Sequence, residues 1–175
     1  IDIFDFNLGT GAAVSTISGN GFLFIEPGAD LSLDSNDVVM PGVFLMNDGM
    51  LNLFGDGISI QGGFYNGFGA TLDIDNFGAA ASGPISFDHS FDNDGLIIFN
   101  QDVGAINKIA VSDMGVPGTL SNYGTFMVTQ TSADSQANLF KGIFDNWGSL
   151  NLQYSLELNE TLAPVTHLNS GVIEL

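Results

Sequence analysis

A short phrase that repeats along this chain constrains its fold more than any other feature. In the phrase an apolar residue precedes an asparagine, a glycine follows two positions after the asparagine, and apolar residues then alternate with other residues. Complete copies lie at Asn47 and Gly49, Asn93 and Gly95, Asn122 and Gly124, Asn146 and Gly148, and Asn169 and Gly171. A looser copy at Asn66 has one extra residue before Gly69. Such a repeat indicates a fold built from similar stacked units.

Each copy of the phrase predicts a corner followed by a β-strand. Asn and Gly tolerate positive φ, which favours a sharp turn at the corner. The period-two alternation that follows predicts a half-buried strand. Successive glycines lie about 20–29 residues apart, so we expect an all-β fold, a β-solenoid (β-helix) with one coil per repeat and coils about 4.8 Å apart. The rival fold, an antiparallel β-sandwich, has no reason to repeat its corners.

The repeated asparagines would lie in register from coil to coil. Their amides can then hydrogen-bond along the stack as a ladder. In the alternative interpretation each asparagine only forms a turn, and no ladder exists.

A single solenoid domain is expected over residues 1–175, with residues 1–16 as an N-terminal cap and little or no helix. Variable coil lengths predict loops at residues 101–118 and 129–141. The last copy stops at Leu175, directly after a strand residue. This end is expected to be open or truncated, so that either further chain covers it or a second copy docks there.

Composition and charge exclude several classes of function. The chain is 45% hydrophobic with 15 Phe, which we expect to lie mostly inside, and no apolar run approaches the length of a membrane span. A net charge of −18 repels nucleic acid and anionic lipid. With no Cys, disulfides and thiolate chemistry are excluded. Asn159 begins one N-glycosylation sequence, which matters only in a glycosylating secretory pathway.

The phrases at residues 90–99, 118–128 and 168–175 resemble the N-terminal domain of the hyphally regulated (Hyr/Iff-type) cell-wall proteins of yeasts. The resemblance covers roughly residues 15–175, and other secreted solenoids use similar phrases. It implies a β-helix displayed on a stalk anchored to the cell wall, with an adhesin-like role and no catalytic residues to carry over. This chain departs from the family pattern in having no Cys and in being richer in Asp.

The candidate binding residues are aromatic and acidic. Tyr123 and Trp147 each follow a repeat asparagine and would occupy the same outward slot on consecutive coils, where they could form a platform for a sugar or an apolar partner. The alternative places both rings under a loop. Asp88, Asp92 and Asp94 offer oxygen ligands for Ca²⁺ without the spacing of a calcium loop; no other cofactor is indicated.

Paired carboxylates would be needed for a polysaccharide-active enzyme. The candidates are Asp73 with Asp75, Asp34 with Asp37, and the cluster of Asp88, Asp92 and Asp94. Because a lyase also needs a cationic residue and the chain has only two Lys, we expect no enzymatic activity. His167 is interpreted as a histidine at the edge of the core.

We therefore expect an extracellular adhesin-like domain, at a cell surface or cell wall, that binds host surfaces, glycans or abiotic surfaces through many weak contacts. The alternatives are a self-assembling filament or surface-layer subunit, joined through the open C-terminal coil, and a polysaccharide-active β-helix enzyme.

Overall fold

The computed structural model describes residues 3–7, 14–76, 83–101, 108–130, 138–158 and 165–175. Within these ranges no residue is helical, and the regular structure consists of strands β1 to β22. The strands stack in parallel as a β-solenoid, which confirms the predicted fold class. No helix in the described part of the chain is long and apolar enough to cross a membrane.

Three sheets form the faces of the solenoid, and each coil contributes one strand to each face. Face A contains the first half of β2 (Thr16–Ile25) and then β4 (Val38–Val39), β7 (Ser59–Ile60), β10 (Ile85–Phe87), β13 (Lys108–Asp113), β17 (Asn138–Lys141) and β20 (Leu156–Leu158). Face B contains the second half of β2 and then β5 (Val43–Asn47), β8 (Phe64–Asn66), β11 (Phe91–Asn93), β15 (Thr119–Asn122), β18 (Ile143–Asn146) and β21 (Leu168–Asn169).

Face C is a seven-stranded sheet built from the strands that follow the repeat corners. Its members are β3 (Asp30–Leu33), β6 (Met50–Phe54), β9 (Thr71–Asn76), β12 (Leu96–Gln101), β16 (Thr125–Gln130), β19 (Ser149–Leu152) and β22 (Val172–Glu174). Two strands pair antiparallel instead: β1 (Ile3–Asn7) runs along residues 16–20 of β2, inside the predicted cap, and β14 (Val116–Pro117) pairs with the end of β13.

The core is a set of apolar columns that run along the solenoid axis. One column on face C joins residues that are at most 7% exposed, namely Leu51, Leu72, Ile97, Phe126 and Leu150. Buried rings also meet between coils, for example Phe126 and Phe144, whose centroids are 5.1 Å apart. The column continues to Ile173, which is 48% exposed because no described strand lies beyond β22.

The two predicted loops are partly wrong. Residues 108–113 form β13 and residues 138–141 form β17, both in face A. Ile109, Val111 and Phe140 are buried there. Because apolar residues alternate with other residues in these two segments, each segment forms a further strand of face A. The intervening residues 102–107 and 131–137 lie outside the described part of the chain.

The asparagines form the ladder that the stacking of the repeat predicted. The Nδ2 group of each asparagine donates to Oδ1 of the asparagine on the next coil, from Asn47 through Asn66, Asn93, Asn122 and Asn146 to Asn169, at 2.6–2.7 Å. The first five of these side chains are fully buried. The same Nδ2 groups also donate to main-chain carbonyl groups at the start of the next face C strand, as Asn122 does to Ser149 at 3.0 Å.

The reason for the repeat glycines differs from the one expected. None of Gly49, Gly95, Gly124, Gly148 or Gly171 has positive φ. Instead, each lies against the backbone of the preceding coil: a Cβ on Gly124 would stand 2.0 Å from the Gly95 carbonyl oxygen. These positions need glycine because two backbones approach closely, and not because of the turn conformation.

In the looser copy, alanine takes the place of the repeat glycine. Ala70, and not Gly69, aligns with Gly49 and Gly95 in the strand register. Gly69 has a φ of +82° in an open turn, and this turn accommodates the two extra residues that the register leaves between Asn66 and Ala70.

Replacing Asn122 by Ala should lower the free energy of unfolding by about 2 to 5 kcal/mol. The change leaves the Asn93 amide donor and the Asn146 amide oxygen without their ladder partner in the core, and a buried unsatisfied group costs about 1 to 3 kcal/mol. Urea unfolding followed by circular dichroism measures this. The matched control is Asn52→Ala, whose amide lies at the surface, 3.5 Å from the Ser32 hydroxyl. Equal stability of the two variants would contradict the ladder.

Replacing Gly124 by Ala should destabilise the protein by about 1 to 3 kcal/mol or more, because the new methyl group would overlap the Gly95 carbonyl oxygen. The control is Gly83→Ala, since among the described residues a Cβ there meets only the Gly57 Cα at 3.8 Å, and this glycine does not have positive φ. That variant should stay within about 0.5 kcal/mol of the parent protein. Thermal unfolding of both variants checks the prediction, and a Gly124→Ala protein that melts with the control would overturn the close-approach explanation.

Candidate functional site

The corner between faces B and C carries the two aromatic residues that the repeat placed outward. Asn122 pairs with Asn146 in the register, so Tyr123 and Trp147 follow equivalent positions on consecutive coils. The two side chains are 52% and 50% exposed. The alternative of burial under a loop therefore does not hold in the described part of the chain.

A third aromatic residue lies on the same corner and was missed from sequence. Phe68 lies in the enlarged corner of the looser copy, and it is 91% exposed. The insertion before Gly69 pushes Phe68 out of the coil. The extra residue was itself the signal, because a residue added to a tight corner must project from it. We call Phe68, Asp94, Tyr123 and Trp147 the corner ridge; from coil to coil these positions span about 14 Å.

A groove of about 750 Å³ runs beside the corner ridge. Its floor is the column of small residues at the corner, which includes Ala70, Gly95 and Gly124. Phe68 and Tyr123 lie in its walls, and its hydroxyl groups come from Thr71, Thr125 and Ser149. Flat aromatic faces beside hydroxyl donors and acceptors suit contact with a sugar ring or another flat, partly apolar surface.

Asp94, the acidic residue of the corner ridge, forms a hydrogen bond with a residue on face B. The Tyr65 hydroxyl on β8 donates a hydrogen bond to the Asp94 carboxylate. This bond, followed by partial burial and by the negative charges of Asp94, Asp48 and Asp92, raises the pKa of Tyr65 to about 12. Tyr65 therefore stays neutral as a donor, and Asp94 has a fixed position at the corner.

The predicted calcium site is not formed. Among the described residues, no three His, Asp or Glu side chains come together as a group that could hold a metal ion. Asp92 lies outward in the middle of β11, Asp94 lies at the corner with Tyr65, and Asp88 lies in the turn after β10. The strand between Asp88 and the corner separates the carboxylates that the sequence lists within seven residues.

The carboxylate pairs considered for catalysis have different environments. Asp37 is buried, and its two oxygens accept hydrogen bonds from the Ser15 and Asp34 amides, both at 2.8 Å. Asp37 thus stabilises the turn that begins at Asp34. Asp73 and Asp75 share the outer side of β9. One oxygen of Asp73 is buried without a hydrogen-bond partner, and burial raises the pKa of this carboxyl.

The remaining sequence candidates have structural or undescribed positions. His167 is half-buried, and its Nδ1 accepts a hydrogen bond from the Phe144 amide at 3.1 Å, which agrees with a histidine at the edge of the core. Asn159 lies outside the described residues. The structure also exposes Phe22, Phe24 and Phe44 on face B, whereas the apolar composition predicts that phenylalanines lie mostly inside.

Comparison of this chain with protein-family models, curated sequences and solved structures gives no significant match. The resemblance to the hyphally regulated cell-wall proteins therefore stays a prediction made from the repeated phrases. The fold, the ladder and the two exposed surfaces are the observations from which function must be argued.

Replacing Asp73 by Asn should stabilise the protein at pH 7 and not at acidic pH. Because burial raises the folded-state pKa of Asp73, the folded protein binds its proton more tightly, and stability falls as pH rises through that pKa. Asn removes this penalty. At about pH 3, below the ordinary pKa of Asp, the two proteins should melt together. The control is Asp30→Asn, which removes the same charge from an exposed position. An equal gain in the control, or none in Asp73→Asn at pH 7, would contradict the assignment.

Proposed function

We propose that this chain is an adhesive binding domain that is displayed outside the cell and attaches to neutral or cationic surfaces through the corner ridge. The observation that carries the proposal is the row of exposed rings at one corner, with Tyr123 and Trp147 about half exposed and Phe68 almost fully exposed. Large aromatic rings left in water at consecutive positions of a rigid scaffold indicate a contact surface.

Rigidity makes such a surface effective. The rings are attached beside the asparagine ladder, whose hydrogen bonds and parallel pairing continue through the coils that carry them. A partner therefore contacts side chains whose backbone is already ordered, so less entropy is lost on binding. Many copies displayed together would turn weak contacts into stable attachment.

The charge of the chain narrows the range of partners. At −18 the domain repels anionic glycans, nucleic acid and anionic membranes. Asp94 places one of these negative charges within the ridge itself. The partners most compatible with the ridge are neutral sugars, uncharged abiotic surfaces and surfaces that carry amines.

The two alternatives stay predictions. Self-assembly through the last coil is compatible with the exposure of Leu168, Val172 and Ile173; sedimentation at increasing concentration distinguishes it from the proposed role. Polysaccharide cleavage would require the outward carboxylates of β9 to act as a catalytic pair, and product release from glycans is its test.

Replacing Trp147 by Ala should reduce adhesion of protein-coated beads to a responsive surface by about threefold to tenfold, and the double variant with Tyr123→Ala should lose more. Each aromatic contact contributes about 0.5 to 1.5 kcal/mol beyond its buried area. Beads are washed under flow over neutral glycans, amine-coated glass and plastic, with and without EDTA.

The matched control is Val116→Ala, which removes an exposed apolar side chain on β14, away from the ridge. It should adhere like the parent protein. A double variant that also adheres like the parent, to every surface that retains the parent, would overturn the role of the ridge.

A further inference from the structure

A second exposed aromatic surface lies on face B, near the first coil. Phe22, Phe24 and Phe44 are 58%, 48% and 37% exposed. Phe22 and Phe44 are partners in the strand register, and their ring centroids are 5.5 Å apart. Because the opposite sides of β2 and β5 already supply Ile25, Val43 and Leu45 to the core, these rings have no place inside.

A glycine on the neighbouring strand leaves room for the Phe44 ring. Gly63, next to Phe44 on the following coil, would carry a Cβ only 2.4 Å from the Phe44 ring. The ring therefore lies down over the glycine. Beside it a groove of about 710 Å³ crosses β2, β5, β8 and β11, lined by Phe22, Phe44, Met46, Tyr65 and Asp92 among others. We call this the aromatic groove.

The groove changes from apolar to acidic along its length. In register, the outward side chains follow the order Phe24, Met46, Tyr65 and Asp92 from coil to coil. Asp92 is exposed and Asp94 is fixed beside Tyr65. His89, which also lines the groove, lies 3.7 Å from Asp113, and in the described part of the chain no lysine lines the groove.

We propose that the aromatic groove docks a short basic, apolar polypeptide segment, with an aliphatic or aromatic side chain on Phe22 and Phe44 and an Arg or Lys over Tyr65 and Asp92. A cation gains both from the carboxylate and from the face of the tyrosine ring. Phe44 and Asp92 lie two coils apart, about 10 Å, and two residues apart along the strands, about 7 Å. The resulting separation of about 12 Å is covered by about four residues of an extended segment. The preferred segment therefore has its basic residue four positions from its apolar residue, so that both side chains point to the same side.

Charge complementarity favours this occupant over the others. A second copy of the chain also has a net charge of −18, so the acidic end of the groove would repel it. An acidic peptide or anionic glycan meets the same repulsion. A neutral sugar would leave Asp92 without a charged partner, although it could stack on the rings. This proposal concerns a different face from the corner ridge and does not depend on the adhesive role.

The test is fluorescence anisotropy of the 175-residue chain with labelled, end-blocked peptides. The first peptide carries two leucines and an arginine four residues further on; the second has glutamine for the arginine, and the third has serine for the leucines. Saturable, micromolar binding of the first peptide alone is expected, weakened by added salt. Equal binding of the second peptide, or equal binding of the third, would overturn the proposal.

Variants then locate the site. Phe44→Ser and Phe22→Ser should each weaken the first peptide by about tenfold, and Asp92→Asn by about threefold to fivefold with a smaller salt effect. The matched controls are Phe68→Ser, an exposed phenylalanine on the corner ridge, and Asp30→Asn, an exposed carboxylate on β3; both should stay within twofold. Melting curves establish that each variant is folded, and Phe22→Ser serves if Phe44→Ser is not.

Two further outcomes decide against the proposal. Binding of glucosamine oligomers at the groove in preference to the peptide would reassign the partner to an amine-bearing glycan. Peptide binding that is unaffected by both phenylalanine variants would show a diffuse attraction to the acidic chain. Trp147→Ala should leave peptide affinity unchanged, so failure here and failure of the adhesive role remain distinguishable.

Discussion

The structure depends on the pairing of the repeat asparagine amides, which hydrogen-bond from one coil to the next. A core that places side-chain amides one above another stabilises only the register in which each donor meets the next acceptor. Slipping one strand by a single residue would turn its asparagine outward and an outer residue inward. At each end of the ladder, the last asparagine has no further described asparagine to pair with on that side. Asn47 stacks on Ile25 and accepts a hydrogen bond from its own Gly49 amide, and Asn169 donates to its own Gly171 carbonyl.

Much of this could be read from the sequence, because one phrase encodes both the ladder and the strand that follows it. The glycines show one limit of prediction from the sequence. Positive φ and close backbone contact both demand glycine, and only coordinates separate the open turn of Gly69 from the crowded Gly124. The calcium prediction shows a related limit: spacing along the chain does not show that Asp88 lies in the turn before β11 while Asp94 lies at the corner after it.

The exposed phenylalanines illustrate a second limit. The run from Phe22 to Ile25 and the run from Val43 to Met46 are apolar at every position, so alternation alone cannot say which side faces the core. The ladder does provide the answer. Counting back in twos from the buried Asn47 places Leu45 and Val43 inside and Phe44 outside. The same count from Asn66 and Asn93 places Tyr65 and Asp92 outside. It does not place Phe22 and Phe24, because the first coil has Ile25 at the position of the asparagine.

The proposed functions both use what the ladder holds in place. The corner ridge follows the ladder directly, and the aromatic groove lies on the strands that lead to it. Tyr65 and Asp94 join the two surfaces through one hydrogen bond. Two exposed aromatic surfaces on a rigid solenoid with a large negative charge are the features on which both proposals rest.

The most direct test of the account is hydrogen exchange at asparagine side chains, measured by nuclear magnetic resonance on protein labelled with ¹⁵N in asparagine. The account predicts that the Nδ2 protons of Asn66, Asn93 and Asn122 exchange many times more slowly than those of the surface Asn52. Rapid exchange at all four residues would show that the amides are not held in a ladder, and the rigid corner on which both proposed surfaces depend would have to be abandoned.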